Sequence, residues 1–224
     1  MTDQPPIPPS TDSAYEQATV TAKEPMFRIP PVTAWLIAIN LLVHIARQFL
    51  PEARDELVVG NLAFDTAAPL DAQTFLTLIT YQFLHADWTH LVVNMTALLA
   101  FGSGLERVLR KAWYLAVYFG GGIAGALFEA VTSSAPGQEV LLGASASISA
   151  LFGALIIMMG LNRLGRRPIS LALMIVLVLG PMIVMGVFNI GSNGLPVAWR
   201  AHVGGFAVGL IAGWGLLALH RNRR

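Results

Sequence analysis

Cysteine is absent from the 224 residues. That excludes disulfide scaffolds, thiol nucleophiles and cysteine-ligated metals. Charge is scarce: 12% of residues are Asp, Glu, Lys or Arg, about half the share usual in a soluble domain. The 14 basic and 13 acidic residues leave a net charge of +1, so no basic surface points to nucleic acid. The first 25 residues have neither a basic start nor an apolar run, so a cleavable signal peptide is not expected there.

Apolar residues make up 55% of the chain, and charges are missing from six long stretches: Ile29–Ala46 (18 residues), Trp88–Leu105 (18), Ala112–Phe128 (17), Val140–Asn162 (23), Pro168–Trp199 (32) and Ala201–His220 (20). About 17–25 apolar residues cross a bilayer as a helix. The expectation is an all-α membrane protein, a bundle of six transmembrane helices over residues 29–220. Residues 1–28, with Pro5, Pro6, Pro8, Pro9 and Pro25, read as a disordered Pro-rich cytoplasmic tail. Residues 221–224 read as a basic cytoplasmic C-terminus.

Helix 1 is expected over Val32–Leu50. The long connection Pro51–Asp87 carries Glu52, Asp55, Glu56, Asp65 and Asp71. It then holds the uncharged stretch Ala72–Ala86, read as interfacial or partly re-entrant. Short basic turns join helices 2 and 3 (Arg107, Arg110, Lys111) and helices 4 and 5 (Arg163, Arg166, Arg167). The run Pro168–Trp199 is too long for one span, so helix 5 is expected to end near Phe188, with a kink at Pro181 and a loop over Asn189–Trp199. A cytoplasmic N-terminus puts 11 of the 14 Lys and Arg inside and leaves Arg47, Arg54 and Arg200 outside, as the positive-inside rule requires.

Polar residues inside a span are functional candidates by default. Helices 2, 4 and 6 all enter from the outside, and each begins with such residues: His90 and Asn94, Ser145, and His202. At 1.5 Å of rise per residue their depths differ by roughly 10 Å or less. The combination makes chemical sense. A serine hydroxyl needs a general base to become a nucleophile, and a neutral histidine supplies one. A tetrahedral intermediate needs donors aimed at its oxyanion. His90 and Asn94 are one turn apart on one helix face, and the backbone N–H groups at the start of helix 4 lack intrahelical partners. Gly205 and Gly209, together with Gly204, form a small-residue stripe below His202. It faces Ala146, Ala150 and Gly153 or Ala154 on helix 4 and lets the two helices approach closely.

The strings GASASISALFGA (Gly143–Ala154), HADWTHLVVNM (His85–Met95) and AHVGGFAVG (Ala201–Gly209) resemble the rhomboid intramembrane serine proteases. The shared patterns are G-x-S on helix 4, H-x-x-x-N on helix 2 and A-H-x-x-G-x-x-x-G on helix 6, in the family's order. The resemblance covers about Pro30–Leu219. It implies a Ser–His dyad without an acid, with Ser145 as nucleophile and His202 as base. His90 and Asn94 then line the oxyanion hole, and no cofactor or metal is called for. The implied partners are the lipid bilayer and single-span membrane proteins, cut near the outer face. His85 matches the family's additional loop histidine and Glu106 its acid at the inner end of helix 2, both in structural roles. Three positions depart from the pattern. Ala146 stands where many members have Gly, Ser149 where some have an aromatic, and Leu76-Thr77 where a Trp-Arg pair is frequent.

Other membrane hydrolases match poorly. There is no H-E-x-x-H and no Gly-x-Gly-Asp, and G-x-S-x-G fails because position 147 is Ser. Ser147 and Ser149 read as packing residues, and Asn40 and His44 as structural. Two further readings remain open at this point. One is a non-catalytic rhomboid-like binder of membrane clients. The other is a small transporter, which the apolar inner halves of helices 4 and 6 disfavour.

Overall fold

The computed structural model describes residues 29–68, 71–133, 140–163, 176, 180 and 198–221. The Pro-rich tail, all of the expected helix 5 but Val176 and Gly180, its Pro181 kink, nearly all of the loop before Trp199 and the last three residues lie outside the described residues.

The described part is mostly helical. Helix α1 spans Pro31–Gln48 and starts with a proline at its first position, where the missing N–H is not needed. Helix α2 follows over Glu52–Leu62, then a two-residue strand β1, Phe64–Asp65. Helix α3, Ala72–Thr80, is capped by the Asp71 carboxylate, which accepts from the Thr74 N–H, and a 3₁₀ turn over Tyr81–Phe83 closes it. Helix α4 covers Trp88–Ala97. It widens into a π-helical turn, Leu98–Gly102, and resumes as α5, Ser103–Glu106. Helix α6 is Lys111–Thr132, β2 is Val140–Leu141, α7 is Ser145–Arg163 and α8 is Trp199–Arg221.

The connection Pro51–Asp87 is therefore more structured than the sequence suggested. It contains α2, and its strand β1 pairs antiparallel with β2, Phe64 opposite Leu141 and Asp65 opposite Val140. The stretch read as interfacial is the short helix α3 and its 3₁₀ turn.

Among the described residues two helices are long and apolar enough to cross a membrane, Lys111–Thr132 and Trp199–Leu219, with a shorter apolar one over Ser145–Met158. Large apolar side chains such as Trp35, Leu42, Val131, Ile211 and Trp214 face outward. Helices α6, α7 and α8 pack most closely on one another, and glycine makes this possible. A methyl group on Gly205 would run into the Ala146 carbonyl oxygen, and one on Gly209 into that of Ala150. These contacts step by four residues on both helices, the ridge spacing of a helix face. Gly204, grouped with that stripe in the sequence, turns instead to Phe128 of α6.

Glu106 ties the lower end of α5 to α1. Its carboxylate accepts from the backbone N–H groups of Val32 (2.9 Å) and Thr33 (2.7 Å) and from the Thr33 hydroxyl (2.8 Å). These are orphan donors of a helix N-terminus, and the negative charge suits the dipole there.

Candidate active site

Ser145 is the first residue of α7 and is half-buried. The chain reaches it through Gly143, which has φ +121°, a conformation open to glycine and strained for other residues. The Gly143 N–H donates to the Tyr81 carbonyl at 3.0 Å, so the 3₁₀ turn after α3 and the β1–β2 pair both hold the approach to the serine.

His90 and Asn94 close on the same point from α4. A Cβ on Gly143 would lie 2.8 Å from both Cε1 and Nε2 of His90 and 3.5 Å from Nδ2 of Asn94. The Asp87 carboxylate caps α4 by accepting from the His90 N–H at 2.8 Å, which fixes the turn carrying His90. Asn94 is buried, and its Nδ2 has no hydrogen-bond partner among the described residues. A buried donor without a partner is destabilising, and this one faces Gly143, two residues before Ser145.

His202 sits in the first turn of α8 and is buried. The residues next to it and next to Ser145 approach each other. A Cβ on Gly125 of α6 would meet the Ala201 carbonyl oxygen at 2.6 Å and the Ala146 Cβ at 2.8 Å. The residue before His202 and the residue after Ser145 thus converge on one glycine, and one turn below His202, Gly205 rests on Ala146.

The other serines of α7 are occupied within the bundle. Ser147 donates to Gln82 Oε1 at 2.7 Å, and Ser149 donates to the Ser145 carbonyl at 2.9 Å. His85 is fully buried and meets His90 edge-on, ring centroids 5.1 Å apart.

Three sets of contacts were not anticipated from the sequence. Arg47, at the end of α1, donates twice to Asp55 of α2 (2.7 and 2.9 Å) and once to the His85 carbonyl (2.8 Å). It therefore ties the first loop to the segment before α4. The guanidinium holds the Asp55 carboxyl below its ordinary pKa, chiefly by hydrogen bonding. At the position of the expected Trp-Arg pair, Leu76 is exposed and the Thr77 hydroxyl donates to the Thr74 carbonyl. Gln82 reaches Ser147 across the bundle. Glu129 of α6 accepts from the Ala201 N–H and from Arg200. A lone acid ending the apolar run of α6 was the available signal for this last one.

The sequence of residues 72–219 matches the family model of the rhomboid domain. The chain belongs to the rhomboid family. All four candidate residues fall inside the matched stretch. YdcA of Bacillus subtilis (strain 168), named provisionally as a rhomboid protease, is 44% identical over 81 residues, 36% of this chain and 40% of that protein. The RHOMBOID-like protein 5 of Arabidopsis thaliana is 28% identical over 97% of this chain and 78% of its own length. An uncharacterised protein of Mycobacterium bovis, Mb1372, is 29% identical over 92% of this chain and 83% of its own. The chain thus spans about two fifths of the Bacillus relative and most of the other two. As a rhomboid with apolar helices it is a membrane protein. Of the candidate residues, Ser145 and His202 stand in the first turns of α7 and α8, and His90 and Asn94 lie one turn apart on α4.

Proposed function

We propose that this rhomboid is an intramembrane serine endopeptidase that cleaves transmembrane segments of single-span membrane proteins near the outer face. In this reading six helices cross the bilayer and both termini lie in the cytoplasm. Ser145 is the nucleophile, His202 the general base, and His90 and Asn94 the oxyanion donors. The observation that carries the reading is the convergence at Gly143. Two side chains from α4, one with an unpartnered buried N–H donor, meet the backbone two residues before the serine.

The chemistry follows from these groups. The His202 imidazole takes the Ser145 hydroxyl proton as Oγ bonds to the scissile carbonyl carbon, and the carbonyl electron pair moves onto oxygen. Asn94, His90 and the N–H groups at the start of α7 stabilise that oxyanion. Collapse breaks the C–N bond, and the imidazolium gives its proton to the leaving amine. Water, deprotonated by the same imidazole, then cleaves the Ser145 ester and returns both groups to their starting state.

The test is a serine-reactive fluorophosphonate probe applied to the purified protein. Labelling of the wild type that is lost in Ser145→Ala supports the endopeptidase. Absence of labelling on folded wild-type protein overturns it in favour of a rhomboid-like binder of membrane clients.

A further inference from the structure

We propose that Glu129 is a positioning residue for His202, clamping the backbone that delivers the imidazole; this rests on the dyad reading above. Glu129 lies in the last turn of α6, and its carboxylate is fully buried. A buried acid at the end of an apolar helix is costly unless paired, and its partners are specific. Oε2 accepts from the Ala201 N–H at 2.7 Å, and Oε1 accepts from Arg200 Nη1 at 3.2 Å. Ala201 is the third residue of α8, so its N–H is one of the donors that the helix cannot satisfy itself.

The other half of the clamp is on the same helix. Gly125, one turn before Glu129, lies against the Ala201 carbonyl oxygen. Helix α6 therefore holds Ala201 on both sides, the N–H by a carboxylate and the C=O by close packing. That C=O belongs to the peptide bond leading into His202. Any slide of α8 along its axis, or any tilt of its first turn, must break the Glu129 bond or drive Ala201 into Gly125. Through this clamp helix α6 sets the depth and heading of the base.

A structural cap alone would stabilise the bundle without singling out the chemical step. The experiment separates the two. Fluorophosphonate labelling rate, kcat and KM on a single-span reporter, and Tm are measured on the full chain for wild type, Glu129→Gln and Glu129→Leu. The Gln side chain keeps an oxygen that accepts from the Ala201 N–H; Leu keeps none. Glu129→Gln is expected to stay within about 3-fold of wild type, while Glu129→Leu loses about 10²-fold in labelling and kcat, the scale of an ångström-size misplacement, with KM unchanged. Wild-type labelling by Glu129→Leu, equal losses in Gln and Leu, or a rise in KM with kcat intact would each overturn the proposal. If Glu129→Leu does not accumulate as folded protein, Glu129→Asp replaces it. The Asp variant keeps the charge but is one methylene shorter. A selective fall in kcat supports the clamp, and wild-type kcat overturns it. Failure of the dyad reading looks different, because the wild type itself would then not label.

Discussion

Gly143 and His90 are in direct contact: a methyl group added to Gly143 would sit 2.8 Å from two atoms of the imidazole ring. The backbone there has φ +121°, so glycine is required twice, for its conformation and for its missing side chain. The Gly143→Ala variant is expected to lose about 1–3 kcal/mol of stability and to label more slowly with fluorophosphonate per folded molecule. Unchanged Tm and labelling would mean that the loop before Ser145 can yield without disturbing His90.

Ser145→Ala and His202→Ala should each abolish proteolysis of a single-span reporter while expression stays near normal. Groups that act as one unit are not additive, so the double variant should be little worse than either single one. Near-wild-type turnover in Ser145→Ala would remove the serine from the mechanism. Ser147 and Ser149 are poor substitutes, since their hydroxyls are engaged with Gln82 and the Ser145 carbonyl.

Asn94→Ala should slow acyl transfer without eliminating it, by on the order of 10²–10³ in kcat, which is about 3–4 kcal/mol. The unpartnered Nδ2 gives the ground state no bond to lose, so KM should barely move. A change confined to KM would assign Asn94 to substrate binding.

The Arg47–Asp55 pair predicts an acid sensitivity of the first loop. The Asp55 carboxyl is held below its ordinary pKa by Arg47. A depressed carboxylate stabilises the fold above its unfolded pKa, and that contribution disappears as pH falls through the folded value. Between about pH 5 and pH 2 the wild type should therefore lose more Tm than Asp55→Asn, which starts without the charge. Parallel Tm curves for the two proteins would show that the pair contributes nothing. The pair is partly exposed, so the difference should be small and should shrink with added salt.

Because the chain has no native cysteine, single introduced ones report access cleanly. Ser145→Cys should react with a membrane-impermeant thiol reagent added from outside. Met158→Cys, buried lower on α7, should not. Reaction of Ser145→Cys only from the cytoplasmic side would invert the proposed orientation.

The residues that meet around Gly143 and Gly125 were legible in the sequence because intramembrane polar groups are rare and small-residue spacing is regular. His90, Asn94 and Gly205 stand out against an apolar background by composition alone. Helix α2 did not stand out, because Glu52–Leu62 is short, charged and buries no side chain, so it carries no periodic apolar stripe. Arg47 was counted as an outside charge, but its bonds to Asp55 and to the His85 carbonyl depend on how the chain folds back after α1. Glu129 was visible as a lone acid at the end of an apolar run, but one of its partners is a backbone N–H 72 residues away, and a backbone donor leaves no mark in the side-chain pattern.

The π-helical turn at Leu98–Gly102 has a consequence for how this chain tolerates length changes. Such a turn holds one residue more than an α-helical turn, and each residue advances a helix by about 100°. Above it, His90 and Asn94 aim at the Gly143 loop; below it, Glu106 aims at the start of α1. The extra residue acts as a phase shifter between two azimuths. A single deletion within Leu98–Gly102 would give a more regular helix, yet it would leave either His90 and Asn94 or the α1 cap facing the wrong way.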